Sequence, residues 1–404
     1  MRQLAGTKTL YRRADATPLS SLLFCARDGM CCSRIRTNSD TGRLTSGIRL
    51  RLTASISPAK KVSDRAESNG TYLMHTSRIC ITLLFAAMLT GCQNDAAPSS
   101  NAGPNSNATL NVLATVGMVA DLVQQIGGEH THVKQLMGAG VDPHLYKATR
   151  DDMQQIMSVD VVFSSGLMLE GRLQDTLQKV GEKHPVYAIT SRLPTDMLLS
   201  PGGGGGHPDP HVWMDVAAWS SCADVIVDAL SEHDAKHAQE FKANAASLRQ
   251  QLQALHEYGL SSIASIPQSN RVLLTSHDAF SYFGRAYGLD VVGVQGLSTE
   301  SEAGLQRINE LVDLLVDRKI SAVFVESSVP RKNILALIDG AKSRGHDVKV
   351  GGELYSDAMG AEGTYEGTYV GMLDHNITTV THALGGTVPD RGLNGKLTVA
   401  KEMP

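Results

Sequence analysis

DAKHAQEFKANAASLRQQLQALHEYGLSSIASI, residues 234–266, is the stretch on which the fold turns. Phe241, Ala245, Leu248, Leu252 and Leu255 recur at alternating steps of four and three with few breakers, the period of one buried helical face. Asp234 is a suitable N-cap, and Pro267 ends the run because proline disfavours helical backbone at the residue before it. The spacing predicts one long helix over 234–266. On its N-terminal side, β-rich runs at 111–116, 132–136, 159–164 and 185–188 alternate with amphipathic segments such as 119–126 and 151–157. The C-terminal side repeats the plan, with runs at 272–275, 291–294, 322–326 and 348–350 separated by helical segments at 280–287, 305–316 and 333–343. Such alternation builds mainly parallel sheets flanked by helices. The expectation is an α/β protein of two lobes, 108–233 and 267–390, joined by a single connecting helix, with 391–404 as a tail. A helix is stiffer than a loop, so this link restricts wide hinge opening.

The 404 residues exceed one ordinary core, and about 150 residues per domain gives roughly two or three domains. Lys and Arg number 37 against 41 Asp and Glu, a net charge of -4 that offers no basic field for nucleic acid. Five of the six cysteines lie at or before Cys92, leaving only Cys222 in the body, so no internal disulfide is expected there. Residues 1–73 are rich in Arg and Ser without apolar period, and a fresh methionine follows at Met74; they read as a mis-called upstream segment. From Met74 a charged start and an apolar run at 79–89 lead to Leu89-Thr90-Gly91-Cys92, so 74–91 reads as a signal peptide too short to span a bilayer. Leu-Thr-Gly-Cys resembles a bacterial lipobox, which implies that Cys92 becomes the lipidated first residue. Residues 92–107, polar and rich in Ala, Ser, Asn and Pro, read as a flexible tether.

The chemistry rests on a tripeptide used twice, Asp142-Pro143-His144 and Asp209-Pro210-His211. Proline fixes its own φ, so each imidazole projects from a stiffened loop with little freedom to lose on binding. His277 follows the apolar run 272–275, and Asp357 follows the run at 348–350 after a short loop. Ligands of open α/β sheets bind outside the carboxyl ends of strands, so both residues can face a cleft. Three imidazoles and a carboxylate make a closed four-donor set for Zn²⁺ or Mn²⁺; the absence of thiolates argues against Cu(I), and the imidazoles argue against Ca²⁺ or Mg²⁺. Binding needs neutral imidazole, so affinity falls as pH drops. Asp142, Asp209, Asp215, Asp278 and Glu326 are candidates to orient the rings from behind, with loop capping as the alternative for the aspartates. The Gly202–Gly206 run and His207 read as a surface linker.

Asp-Pro-His-Leu-Tyr at 142–146, Asp-Pro-His-Val-Trp-Met-Asp at 209–215, Ser-His-Asp-Ala-Phe-Ser-Tyr-Phe at 276–283, Phe-Val-Glu-Ser-Ser at 324–328 and Gly-Glu-Leu-Tyr-Ser-Asp-Ala at 352–358 resemble the metal-binding lipoproteins of zinc and manganese ABC importers, the TroA-like or cluster A-I family. The resemblance implies a bilobal fold with a metal at the lobe interface, donors at His144, His211, His277 and Asp357, and delivery to a membrane permease served by a cytoplasmic ATPase. It also implies a periplasmic or cell-surface location, lipid-anchored; a monomer is expected. Members regarded as manganese-specific often carry glutamate third, where this chain has His277. Dedicated zinc members often carry a long His-rich loop, which shrinks here to the glycine run. Both ions are expected to bind, Zn²⁺ more tightly by the Irving–Williams order. Two rivals stand beside this reading, a metal-dependent hydrolase and a cell-surface adhesin. The first lacks a His-Glu-x-x-His helix, and no Gly-x-Ser-x-Gly elbow or phosphate-binding Gly-Lys-Ser/Thr loop supports other catalysis.

Overall fold

The computed structural model describes residues 109–200 and 206–398. The upstream segment 1–73, the signal segment 74–91, Cys92, the tether 92–107, most of the glycine run and residues 399–404 of the tail lie outside the described residues. In the first lobe β1 (Leu110–Val116), α1 (Gly117–Gly127), β2 (Thr131–Met137), α2 (Arg150–Ser158), β3 (Val161–Ser164), α3 (Gly171–Gly181) and β4 (Val186–Ala188) alternate, followed by α4 (Val216–Ser221) and α5 (Ala223–His233). The long helix is α6 (Ala238–Ala264). Beyond it run β5 (Val272–Thr275), α7 (Ser281–Tyr287), β6 (Asp290–Gly293), α8 (Leu305–Asp317), β7 (Ala322–Glu326), α9 (Lys332–Ser343), β8 (Lys349–Leu354) and α10 (Tyr369–Ala383).

All strand pairs are parallel. The first sheet has the order β2-β1-β3-β4, so its direction of winding reverses between β1 and β3. The second lobe forms two pairs, β5 with β6 and β7 with β8, rather than one continuous ladder; β5 lies beside β7. The crevice at each reversal, beyond the carboxyl ends of the strands, is where such sheets bind ligands. β3, β5 and β7 are buried at every residue, as parallel strands covered on both faces must be, whereas β2, β4, β6 and β8 are partly exposed.

Phe241, Ala245, Leu248, Leu252 and Leu255 all lie on the buried face of α6. One apolar cluster runs from Val112 and Trp219 through these residues to Phe280, Tyr369 and Met372, so the two lobes share a core across α6 instead of each closing its own. Smaller clusters cover the outer faces, around Leu173 in one lobe and Leu337 in the other. Three details depart from expectation. Asp234 does not cap α6: it opens a 3₁₀ turn and its carboxylate holds His237 Nδ1 at 2.5 Å. β8 runs on through Gly351 and Gly352, where a Cβ would meet the Phe324 ring at 2.9 Å and Thr379 at 2.3 Å, so these glycines mark a close approach and not a turn. The described part of the tail packs down, with Leu397 buried and Leu393 N donating to Asp374 at 2.8 Å. Cys222, buried at the break between α4 and α5, has its thiol pushed up to about 12 by burial and is inert. Among the described residues no helix is long and apolar enough to cross a membrane.

Candidate metal centre

The repeated Asp-Pro-His makes the same turn twice. Asp142 Oδ1 accepts from His144 N, and Asp209 Oδ1 from His211 N, both at 2.9 Å. The carboxylate closes an Asx turn over proline and fixes where the ring leaves the backbone. In the second copy the same Oδ1 also takes His211 Nδ1 at 2.7 Å. His277 follows β5 directly; Glu326 at the end of β7 accepts its backbone N at 2.9 Å with Oε1 and its Nδ1 at 2.5 Å with Oε2. Asp209 and Glu326 thus hold Nδ1 of their rings and turn each Nε2 toward Asp357.

Those nitrogens converge on Asp357, three residues beyond β8. His277 Nε2 lies 3.1 Å from Oδ2, His144 Nε2 3.6 Å from Oδ2, and His211 Nε2 3.5 Å from Oδ1. His144 and His211 Nε2 are 3.3 Å apart. One donor atom from each of the four lies within 4.8 Å of all the others. His211 and His277 are wholly buried, Asp357 is 1% exposed and His144 5%. Despite that burial both Asp357 oxygens and His277 Nε2 lack a hydrogen-bond partner, although His277 Nε2 and Oδ2 stand 3.1 Å apart as an ion pair. Three orphaned polar atoms at one buried point carry a desolvation cost that a cation would relieve.

Electrostatics separate the rings. Burial pushes His144 down to about 4. Burial opposes charge on His277 too, but the Glu326 and Asp357 carboxylates outweigh it and hold its pKa well above the ordinary imidazole value. Asp357 is penalised by burial, yet His277, His211 and His144 keep it well below the usual carboxylate range.

The remaining candidates divide. Asp142 holds the His144 backbone and not its ring. Asp215 caps α4 through Ala217 N and Ala218 N and pairs with Arg285, whereas Asp278 accepts from the Ser281 hydroxyl without capping α7, and neither supports a ring. His207 is exposed and stands apart from the four. Sequence reading missed Glu170, fully buried at the end of the β1–β3 crevice, where it accepts from Thr115 Oγ1 at 2.6 Å and Ser165 N at 2.7 Å. It steadies a loop in which Leu167 and Met168 both have positive φ. No motif marked it; a lone glutamate reads as surface until burial is known.

A family model described as "Zinc-uptake complex component A periplasmic" matches residues 112–383. The manganese-binding lipoprotein MntA of Bacillus subtilis is 49% identical over 303 residues, 75% of this chain and 97% of the relative. The zinc-binding protein TroA of Treponema pallidum is 42% identical over 316 residues, 77% of this chain and 99% of the relative. The solved structure of the periplasmic zinc-binding protein TroA from T. pallidum superposes with a TM-score of 0.67 at 43% identity, covering 69% of this chain and 99% of that one. With the match spanning both lobes and all four converging residues, the chain belongs to the zinc-uptake complex component A family of periplasmic, extracytoplasmic solute-binding proteins of metal ABC importers.

Proposed function

We propose that His144, His211, His277 and Asp357 bind one Zn²⁺ or Mn²⁺ ion between the lobes as cargo and that the protein delivers it, without turnover, to an ABC permease served by its cytoplasmic ATPase. The observation that carries this is spacing. A tetrahedral ion with bonds of about 2.0–2.1 Å separates its donors by about 3.3–3.4 Å; four contacts among the donors, counting both Asp357 oxygens, span 3.1 to 3.6 Å, and a single donor atom from each residue lies within 4.8 Å of the others. Four protein donors fill the tetrahedron, whereas a catalytic zinc keeps a position for water. The relatives' names include both manganese and zinc; three imidazoles favour Zn²⁺ at equal availability. X-ray absorption of the zinc-loaded protein tests the site, with three nitrogen donors and one oxygen expected; a six-coordinate shell dominated by oxygen would refute it.

The finer placement belongs to the same proposal. Cys92 carries the lipid that holds a monomeric protein at the membrane, with residues 92–107 as tether and residues 1–91 absent from the product. Mass mapping of the native N-terminus is expected to begin at a diacylated Cys92; peptides from 1–73 would contradict this.

A further inference from the structure

The contacts between the lobes are unequal around the four donors. His211 lies before α6 in the chain, yet its surroundings are fastened to the second lobe. Tyr282 OH on α7 donates to Asp209 O at 3.0 Å and accepts from Leu199 N at 3.0 Å. Arg285, also on α7, reaches Met197 O at 2.6 Å and Asp215 at 3.1 Å. Trp213 Nε1 donates to Ser356 O at 2.9 Å, beside Asp357, and Tyr369 OH on α10 donates to Trp213 O at 2.6 Å.

His144 is held differently. Among the described residues, the hydrogen bond that reaches its turn from the second lobe is Thr299 Oγ1 to Asp142 Oδ2, at 2.5 Å. Asp142 uses its other oxygen on His144 N. The neighbouring Glu300 pairs with Arg172 on α3 at 2.9 Å, both side chains being well exposed. Thr299 and Glu300 belong to 294–304, which joins β6 to α8 without helix or strand. Thr299 is only 9% exposed, so its bond to a carboxylate is shielded from water. His144 is also the most exposed of the four donors.

We infer that Thr299, through Asp142, latches His144 onto the ion and sets its rate of release, so that His144 detaches first while His211, His277 and Asp357 remain together. This rests on the four-donor site proposed above. Thr299 is a positioning residue: it touches no donor atom, and its hydroxyl acts through the Asp142 carboxylate. Freeing that carboxylate loosens the turn that aims the ring, and the ion is then held by the three more deeply buried donors.

The test is stopped-flow transfer of Zn²⁺ from the loaded full chain to excess chelator. Thr299→Val, which keeps shape and removes the hydroxyl, is expected to raise the dissociation rate about tenfold with little change in association. Thr299→Ser restores a near wild-type rate. Glu300→Gln, at an exposed pair, changes it by less than about twofold. Unloaded Thr299→Val is expected to melt with the wild type. Release by Thr299→Val at the wild-type rate, or fast release by both Thr299 variants with lowered melting of the unloaded protein, overturns the latch while leaving the site intact. A wild type that takes up neither Zn²⁺ nor Mn²⁺ overturns site and latch together.

Discussion

In each Asp-Pro-His turn the carboxylate takes the histidine's backbone N–H two residues on, and what it does with its remaining capacity distinguishes the two copies. Asp209 steadies the His211 ring, and Glu326 does the same for His277. Asp209→Asn and Glu326→Gln are therefore expected to weaken Zn²⁺ binding by about 10- to 100-fold without removing a donor, measured by chelator competition. Protonation gives a second prediction. His144, pushed down to about 4, is already neutral at pH 7. His277, held well above the ordinary value, carries a proton that the ion must displace. Affinity should then rise by about one decade per pH unit below the raised His277 value and fall as pH is lowered. The unloaded fold behaves oppositely: stabilisation from protonated His277 is fully present below its ordinary value and is lost as pH rises through the raised one. Calorimetry in two buffers of different ionisation enthalpy reads the proton release; none at pH 7 would contradict the assignment. The repeated motif made His144 and His211 candidates from local sequence, and His277 and Asp357 became candidates from their places after β-rich runs together with the family resemblance. Thr299 was not, because its partner lies 157 residues away and no local pattern announces the pair.

At the scale of elements, α6 carries the join. Leu252 is 1% exposed on its core face, whereas Leu260 on the same helix is 43% exposed. Leu252→Ala should cost about 2–5 kcal/mol in urea unfolding of the unloaded protein, and Leu260→Ala less than about 0.5 kcal/mol. Equal effects would mean that the buried face has been misplaced. The helix was readable because its apolar residues keep one period over many turns. Its start was less so: Asp234 satisfies the general chemistry of an N-cap but is taken by His237, a choice that depends on side-chain geometry. Gly351 and Gly352 hid the length of β8, since glycine is depleted from strands unless a neighbour comes too close for a Cβ, and the neighbours here are Phe324, Thr379 and Ala383.

For the whole molecule, the apolar cluster that crosses α6 ties the lobes through a shared core, which favours small adjustments at the cleft over wide swinging. On the proposed site the ion bonds across that cleft, so the loaded protein should gain about 2.7 kcal/mol at a free metal concentration one hundred times Kd, seen as a melting temperature that climbs with metal. A melting temperature indifferent to Zn²⁺ and Mn²⁺ would count against an interlobe site. The two-lobe α/β plan was visible in the alternation of β-rich and amphipathic runs, but the sharing of one core was not, because it depends on which faces meet. The most direct test of the central claim is metal analysis of protein purified without added metal, followed by competitive titration of Zn²⁺ and Mn²⁺ on the wild type, His144→Ala and Asp357→Ala. The four-donor site predicts one ion per chain, Zn²⁺ held more tightly than Mn²⁺, and at least about a hundredfold loss of affinity in each variant; unchanged affinity in both variants would contradict it.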